Sequence, residues 1–260
     1  PVSAALLVTN AALVLGLMVA VWAVSVVKKD VSVVDPWWSM LFLLITGHTV
    51  ARTGVTPGKI LLLVLVATWA LRLWLHLTVR ARGKAEDPRY AAFRQRFGPE
   101  RYWWFSFFQV FLLQGSLALL VSAPLQLAAA APAPDGISLV DVVGALVFVV
   151  GFGFEVVADR QLEAFRRDPA RAGQVLDTGL WRFSRHPNYF GEALLWWGLG
   201  ICALDQPLGW AGLAGPLLMT VLLLRVSGVR LLDDHMRSTK PAYADYIART
   251  SGFVPWRPRP

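Results

Sequence analysis

Long apolar runs, separated by short polar segments, recur along the whole of this 260-residue chain. Each run approaches or exceeds the roughly 20 residues that a helix needs to cross a hydrocarbon core of ~30 Å. Because backbone groups in lipid must hydrogen-bond within their own segment, each run is predicted to be helical. The pattern predicts an all-α fold: a polytopic transmembrane bundle of about seven helices with cytoplasmic polar helices. The expected spans are residues 4–27, 37–53, 59–79, 103–125, 140–158, 188–204 and 208–226.

The runs follow one another without a linker or an internal repeat, which predicts a single integral membrane domain over residues 1–260. Residues 159–168 continue the fifth span as a polar helix and begin a segment outside the membrane at 159–186. Residues 229–260 form an amphipathic tail, in which charged and apolar residues alternate as in a helix on a membrane surface. The first run has no basic leader or clear cleavage site, so we expect it to be retained.

Composition and charge support the membrane assignment and give it an orientation. Hydrophobic residues make up 56% of the chain and charged residues 16%, against about 25% charged in soluble domains. Of the 25 Lys and Arg residues, 20 lie in the segments 80–101, 159–186 and 225–260, and none lies in 126–139 or 205–207. This alternation predicts a cytoplasmic location for the three basic segments, with the N-terminus outside and the C-terminus inside. Anionic lipid headgroups account for such a basic surface without nucleic acid.

Ionisable side chains inside the expected spans are costly, at about 2.5–3.5 kcal/mol each at mid-span, and they call for a partner or a function. Three groups of polar residues recur at helical spacing, so that each group lies on one face of its helix. The groups are Arg72, His76 and Arg80; Glu155, Asp159 and Arg166; and Asn188 and Glu192. Interhelical ion pairs explain any single residue, whereas the three groups together predict a polar cavity that opens toward the cytoplasm. The single cysteine, Cys202, excludes a multi-cysteine zinc site, and no metal site is predicted.

The densest polar motif is TGLWRFSRHPNYFGEALLWWG at residues 178–198. Pro187 pre-sets the first turn of a helix, whose first backbone N–H groups have no partner within the helix. With Arg182, Arg185 and His186 beside them, these donors predict an anion site that suits a phosphate-bearing cofactor. Interfacial arginines that contact lipid phosphates are the alternative interpretation.

At this motif the sequence resembles the steroid 5-alpha-reductase-like superfamily of bacterial membrane proteins, especially its branch of unknown function. The resemblance covers most of the chain. It comprises DPWW at 35–38, RLWLHLTVRARG at 72–83, WWFSFFQVFLLQG at 103–115, residues 155–166, residues 178–198, LLMTVLLLRVSG at 217–228, and KPAYADYIARTSGFVPW at 240–256.

The resemblance implies an NADPH-dependent reductase of the cell (inner) membrane, with the cofactor held from the cytoplasmic side at segment 159–186. Hydride would pass to the conjugated C=C of an enone in a steroid-like or other lipid substrate. An acid must then polarise the carbonyl oxygen, and the candidate catalytic carboxyls are Asp35 and Glu192. The cofactor-binding residues that follow from the motif positions and the basic cluster are Arg72, Asp159, Arg166, Arg182, Arg185, His186, Asn188 and Tyr189.

Two departures keep other functions open. Trp69 stands where the reductases carry a tyrosine that polarises the substrate carbonyl. The Arg-His-Pro motif also resembles isoprenylcysteine carboxyl methyltransferases, which bind S-adenosylmethionine and have a paired acidic motif that Asp233 and Asp234 loosely match. A non-catalytic lipid-binding protein is the third possibility. In each case the expected partners are membrane lipids and a lipid-like small molecule, without nucleic acid.

Overall fold

The computed structural model describes residues 2–131, 136–226 and 228–259. Every regular element in these ranges is a helix, which confirms the all-α prediction. The α-helices are α1 (Ala4–Lys28), α2 (Val34–Thr53), α3 (Pro57–Ala81), α4 (Pro88–Phe97), α5 (Pro99–Ser106), α6 (Leu113–Val121), α7 (Ala123–Ala130), α8 (Leu139–Arg167), α9 (Pro187–Ile201), α10 (Gly209–Gly212), α11 (Ala214–Val221), α12 (Val229–Thr239) and α13 (Tyr243–Arg249). Two π-helical stretches, Phe107–Leu112 and Leu222–Val226, follow α5 and α11.

Five helical stretches of the described chain are long and apolar enough to cross a membrane, so the expected count of about seven is not confirmed. They are Ala4–Lys28, Pro57–Ala81, Pro99–Val121, Leu139–Arg167 and Gly209–Val226. The two expected spans outside this set correspond to α2 and α9. Helix α9 has 15 residues, short of the roughly 20 that a span needs. Helix α2 has 20 residues but carries Asp35, His48 and Arg52.

Contacts divide the chain into two compact units, and each is described on its own. The N-terminal unit consists of Pro1–Ser138 and Ala203–Gly212. Its core lies between α2 and α3, where the rings of Phe42 and Trp69 are 5.7 Å apart and both side chains are fully buried. The Ser39 hydroxyl donates across the same helix pair to the Ala70 carbonyl at 3.0 Å.

The C-terminal unit consists of Leu139–Cys202 and Leu213–Pro260. It is built on the antiparallel pair of α8 and α9, whose backbones touch along a seam of glycines. A Cβ atom added at Gly151 would lie 2.4 Å from the Leu195 nitrogen, and one added at Gly198 would lie 2.5 Å from the Phe148 nitrogen. Since no side chain fits between the helices, glycine is required here, as in other closely packed membrane helices.

The predicted polar extension of the fifth span is confirmed, because α8 continues without a break to Arg167 before Asp168 and Pro169 end it. The amphipathic tail expected over 229–260 is not one continuous helix. It forms α12 and α13, separated at Lys240, whose backbone is extended at φ −133° and ψ 105°. Pro241 explains the break, since a residue before proline is disfavoured in helical conformation.

Candidate active site

The glycine seam brings the predicted polar groups of α8 and α9 together. A Cβ atom at Gly191 would lie 2.5 Å from the Glu155 nitrogen, so the helices are still in backbone contact one turn before the polar residues. Just beyond, Asn188 Nδ2 donates to Asp159 Oδ1 at 3.1 Å. The other amide atom, Asn188 Oδ1, is buried and accepts no hydrogen bond from a described residue. Two of the predicted cofactor residues therefore form one site with an unused acceptor.

Two carboxylates and one arginine continue this candidate site along the two helices. Glu155 is buried, one turn before Asp159 on α8, and Glu192 is half-buried, one turn after Asn188 on α9. Arg166 is exposed seven residues beyond Asp159, a spacing that places both on one face of α8. The site thus has an acidic, partly buried end and a basic, solvent-facing end.

Two members of the predicted anion site, Arg185 and His186, are engaged by a carboxylate of α12. Arg185 Nη2 donates to Asp233 Oδ2 at 2.8 Å, and His186 Nε2 lies 3.0 Å from Asp233 Oδ1. The hydroxyl of Tyr243 donates to the same oxygen at 2.6 Å. Arg182, by contrast, is exposed. The prediction that Arg185 and His186 hold cofactor phosphates remains untested, but their donors already have partners here.

The electrostatics of Asp233 follow from these contacts. Burial alone would raise the pKa of the Asp233 carboxyl, but the hydrogen bonds of His186, Arg185 and Tyr243 outweigh burial and hold that pKa well below its usual range. Asp233 is therefore a permanent anion near neutral pH. In the sequence, only a loose match to an acidic pair pointed to Asp233. Its contact with Arg185 could not be predicted because 48 positions separate the two residues.

The same motif fixes the chain that follows α13. Arg185 Nη1 donates to the Thr250 carbonyl at 2.7 Å, and the Ser184 hydroxyl donates to the Phe253 carbonyl at 2.7 Å. The ring of His186 also stacks on that of Tyr189, with the ring centroids 5.7 Å apart and an interplanar angle of 4°. The first turn of α9, which carries the predicted cofactor residue Tyr189, is therefore held by the tail.

A second polar cluster surrounds Asp35 in the N-terminal unit. The hydroxyl of Tyr90 donates to Asp35 Oδ1 at 2.6 Å, and Arg89 Nη2 donates to Asp35 Oδ2 at 3.1 Å. Gln114 Nε2 donates in turn to the Tyr90 oxygen at 3.3 Å. Burial, followed by the charge and hydrogen bond of Asp35, raises the pKa of the Tyr90 phenol well above its ordinary value.

Tyr90 was not identified from the sequence, and its phenol hydroxyl donates a hydrogen bond to the candidate catalytic carboxyl of Asp35. Its helix, α4, is short and polar and lies in a basic segment that charge counting assigned to the membrane surface. The predicted cofactor residue Arg72 is half-buried in α3 of this unit. Trp69, the residue in place of the reductase tyrosine, is fully buried against Phe42.

The family assignment rests on a match to most of the chain. A protein family described as "Protein of unknown function (DUF1295)" matches residues 21–250. The chain belongs to this family. Five helical stretches in the described ranges are long and apolar enough to cross a membrane, and this member of the DUF1295 family is an integral membrane protein.

Curated relatives include two named reductases. An uncharacterized protein of Schizosaccharomyces pombe is 27% identical over 263 aligned positions, which cover 90% of this chain and 75% of the relative. A Delta(14)-sterol reductase of Arabidopsis thaliana is 27% identical over 130 residues, 45% of this chain and 32% of the relative. The steroid 5-alpha-reductase DET2 of the same plant is 34% identical over 73 residues, 28% of this chain and 26% of the relative. No solved structure matches.

The two reductase matches each span about a third or less of the relative's length. Together with the family match, they confirm the resemblance to the 5-alpha-reductase-like superfamily. They make the chain a distant homologue of sterol and steroid reductases.

Proposed function

We propose that this DUF1295 protein is a membrane-embedded, NADPH-dependent reductase that transfers hydride to the conjugated C=C of an enone in a steroid-like or other lipid substrate. The observation that carries the proposal is that both relatives with a named activity are reductases, one named for a sterol and one for a steroid. A chain with five apolar helices is suited to a substrate that reaches its site from the bilayer.

The residues at the head of α9 fit the nicotinamide end of the cofactor. A carboxamide group offers two N–H donors and one carbonyl acceptor. The buried Asn188 Oδ1 is an acceptor without a partner among the described residues, and the carboxylate of Asp159 supplies further acceptors beside it. This donor and acceptor match supports cofactor binding by Asp159 and Asn188.

Cofactor phosphates would contact the basic end of the same unit. Arg166 and Arg182 are exposed, and the planar fork of a guanidinium binds phosphate oxygens in pairs. Arg185 and His186 contribute by holding the first turn of α9, with Tyr189, against Asp233. The resemblance to the reductases adds Arg72 to the residues proposed to bind the cofactor.

NADPH, when bound, supplies the hydride, and the reaction also needs an acid near the substrate carbonyl. Reduction of an enone places negative charge on the carbonyl oxygen, which a nearby acid stabilises. Glu192 and Asp35 are the proposed carboxyls, and the Tyr90 phenol, which is protonated at neutral pH, donates its hydrogen to Asp35 Oδ1 over an oxygen–oxygen distance of 2.6 Å. Tyr90 supplies the hydroxyl that Trp69 lacks.

Binding of the two candidate cofactors tests the proposal first. The detergent-purified protein is titrated separately with NADPH and with S-adenosylmethionine in a calorimeter. We expect NADPH to bind and S-adenosylmethionine not to bind, and enone steroids to be reduced at the expense of NADPH. Binding of S-adenosylmethionine without NADPH would favour the methyltransferase alternative, and binding of neither would favour a non-catalytic lipid-binding protein.

Neighbouring arginines of α8 provide a matched test of the site. Arg166 and Arg167 are both exposed in the last turn of α8, and Arg167 pairs with Glu163. Loss of a charged hydrogen bond costs about 1.5–3 kcal/mol, so Arg166→Ala should weaken NADPH binding by about 10- to 100-fold. Arg167→Ala should leave it unchanged, and equal effects of the two variants would refute the assignment of Arg166.

Glu192→Gln tests the acid separately from cofactor binding. The variant keeps the size of the side chain and removes its charge and its proton, so turnover should fall while the Kd for NADPH changes little. The same measurement applies to Asp35→Asn. Unchanged turnover in both variants would remove the two carboxyls from the proposal.

A further inference from the structure

Four arginines meet at an open pocket in the last part of the tail, within the C-terminal unit. The pocket has a volume of about 360 Å³ and is formed by residues 247–252 together with Arg185, Trp256, Arg257 and Arg259. Its charged lining residues are Arg185, Arg249, Arg257 and Arg259.

Backbone hydrogen bonds hold the walls of this tail pocket in place. The Trp256 N–H donates to the Phe183 carbonyl at 2.9 Å, and the Arg259 N–H donates to the Arg249 carbonyl at 2.9 Å. Gly252 lets the Arg185 guanidinium approach, because a Cβ atom there would lie 3.2 Å from Arg185 Nη2. The arginines therefore converge on a pocket whose walls are held in position by hydrogen bonds.

Positive charge in the tail pocket is only partly balanced. Arg185 is paired with Asp233 at 2.8 Å, whereas Arg249 reaches Asp177 only at 3.8 Å, with both side chains about half exposed. Neither of the two last arginines, Arg257 and Arg259, forms an ion pair with a described residue. A bound anion would balance the remaining positive charge and would thereby stabilise this arrangement.

The chemistry of the lining residues indicates which anion the pocket would bind. Guanidinium groups bind phosphate oxygens with paired hydrogen bonds, and the polar residue Ser251 also lines the pocket. Trp256, 73% exposed at the rim, is the kind of residue that lies at headgroup level in membranes. We propose that the tail pocket binds a phosphate monoester, carried either by a membrane lipid headgroup or by a soluble phosphate compound.

This site goes beyond the proposed reductase function and shares only Arg185 with the proposed cofactor residues. Arg257 and Arg259 are not among the proposed cofactor residues, so the double variant Arg257→Gln/Arg259→Gln tests the tail pocket while leaving that set intact. The matched control is Arg82→Gln/Lys84→Gln, which removes two exposed positive charges from the turn after α3 in the N-terminal unit. NADPH binding by both double variants is measured in parallel and should equal that of the unaltered protein.

The detergent-purified protein is titrated in a calorimeter with inorganic phosphate, with dihexanoyl phosphatidic acid and with dihexanoyl phosphatidylcholine. Phosphatidic acid should bind, phosphatidylcholine should not, and the tail-pocket variant should bind at least about tenfold more weakly while the control is unchanged. Equal affinity for inorganic phosphate would identify a soluble phosphate compound, and clearly tighter binding of phosphatidic acid would identify a lipid headgroup. If neither ligand bound, or if the two double variants behaved alike, the proposal would be overturned.

Discussion

The glycine seam between α8 and α9 leads to a sharp prediction, because one added methyl group tests both the packing and the candidate site. In Gly151→Ala the new Cβ would lie 2.4 Å from the Leu195 nitrogen and 2.7 Å from the Gly191 carbonyl oxygen. Both obstacles are backbone atoms, which cannot rotate away as a side chain would. Restoring ordinary contact at 3.4 Å requires the helices to separate by about 1 Å.

The magnitude follows from that separation. Overpacking of a well-packed core costs about 1–3 kcal/mol, and backbone obstacles place Gly151→Ala at the upper end. For a chain of this size a loss of about 3 kcal/mol lowers the unfolding midpoint by about 6–12 °C. A 1 Å displacement carried to the end of the pair would also stretch the 3.1 Å bond between Asn188 and Asp159 to about 4 Å, beyond hydrogen-bond length.

The control lies two residues away on the same helix. Gly153 is exposed, and a Cβ atom there would meet nothing within 4 Å. Gly153→Ala should therefore be neutral or should stabilise the helix by up to about 1 kcal/mol. Thermal unfolding in detergent and NADPH titration are measured for both variants. Equal midpoints, or loss of NADPH binding in both, would refute the view that backbone contact at Gly151 positions the site.

Three further variants have effects of predictable sign. Asp233→Asn leaves the Arg185 charge poorly paired and should lower the free energy of unfolding by about 3 kcal/mol. Because the pKa of Asp233 is lowered from 3.8, this stability should be present above about pH 4 and be lost as the pH falls below it, which an unfolding series would show. Tyr90→Phe should lower kcat while the Kd for NADPH changes little. Asn10→Leu, which removes the 3.1 Å bonds from Asn10 to α2 and α7, should lower the unfolding midpoint without changing NADPH affinity.

Features that repeat along one helix could be predicted from the sequence. The apolar runs give the helices, and the polar continuation to Arg167 agrees with the end of α8 because Asp168 and Pro169 mark a helix stop. The expected span at 188–204 is not confirmed, for a local reason. Although its apolar pattern is long enough, α9 begins at Pro187 and ends at Ile201, so that only 15 residues are helical.

Contacts between distant parts of the chain could not be predicted in the same way. Tyr90 and Asp35 are 55 positions apart, and Arg185 and Asp233 are 48 apart. Periodicity places each of these side chains on a face of its own helix but does not identify the residue that faces it. The resemblance to reductases gave roles to Asp35 and Arg185, but it assigned no partner to either of them.

The glycine seam could be predicted only in part, because the spacing of its glycines is visible in each helix but the contact between the helices is not. Gly144 and Gly151 are seven residues apart in α8, and Gly191 and Gly198 are seven apart in α9. Seven residues are about two turns, so each pair lies on one face, but α8 also contains Gly153 on a different face. A single helix cannot distinguish the glycines that contact a neighbour from those that do not, since the requirement arises only when two backbones meet. Because the polar residues at 155, 159 and 188 continue the faces that these glycines define, the close approach that excludes side chains along the seam also brings the Asp159 carboxylate and the Asn188 amide into contact.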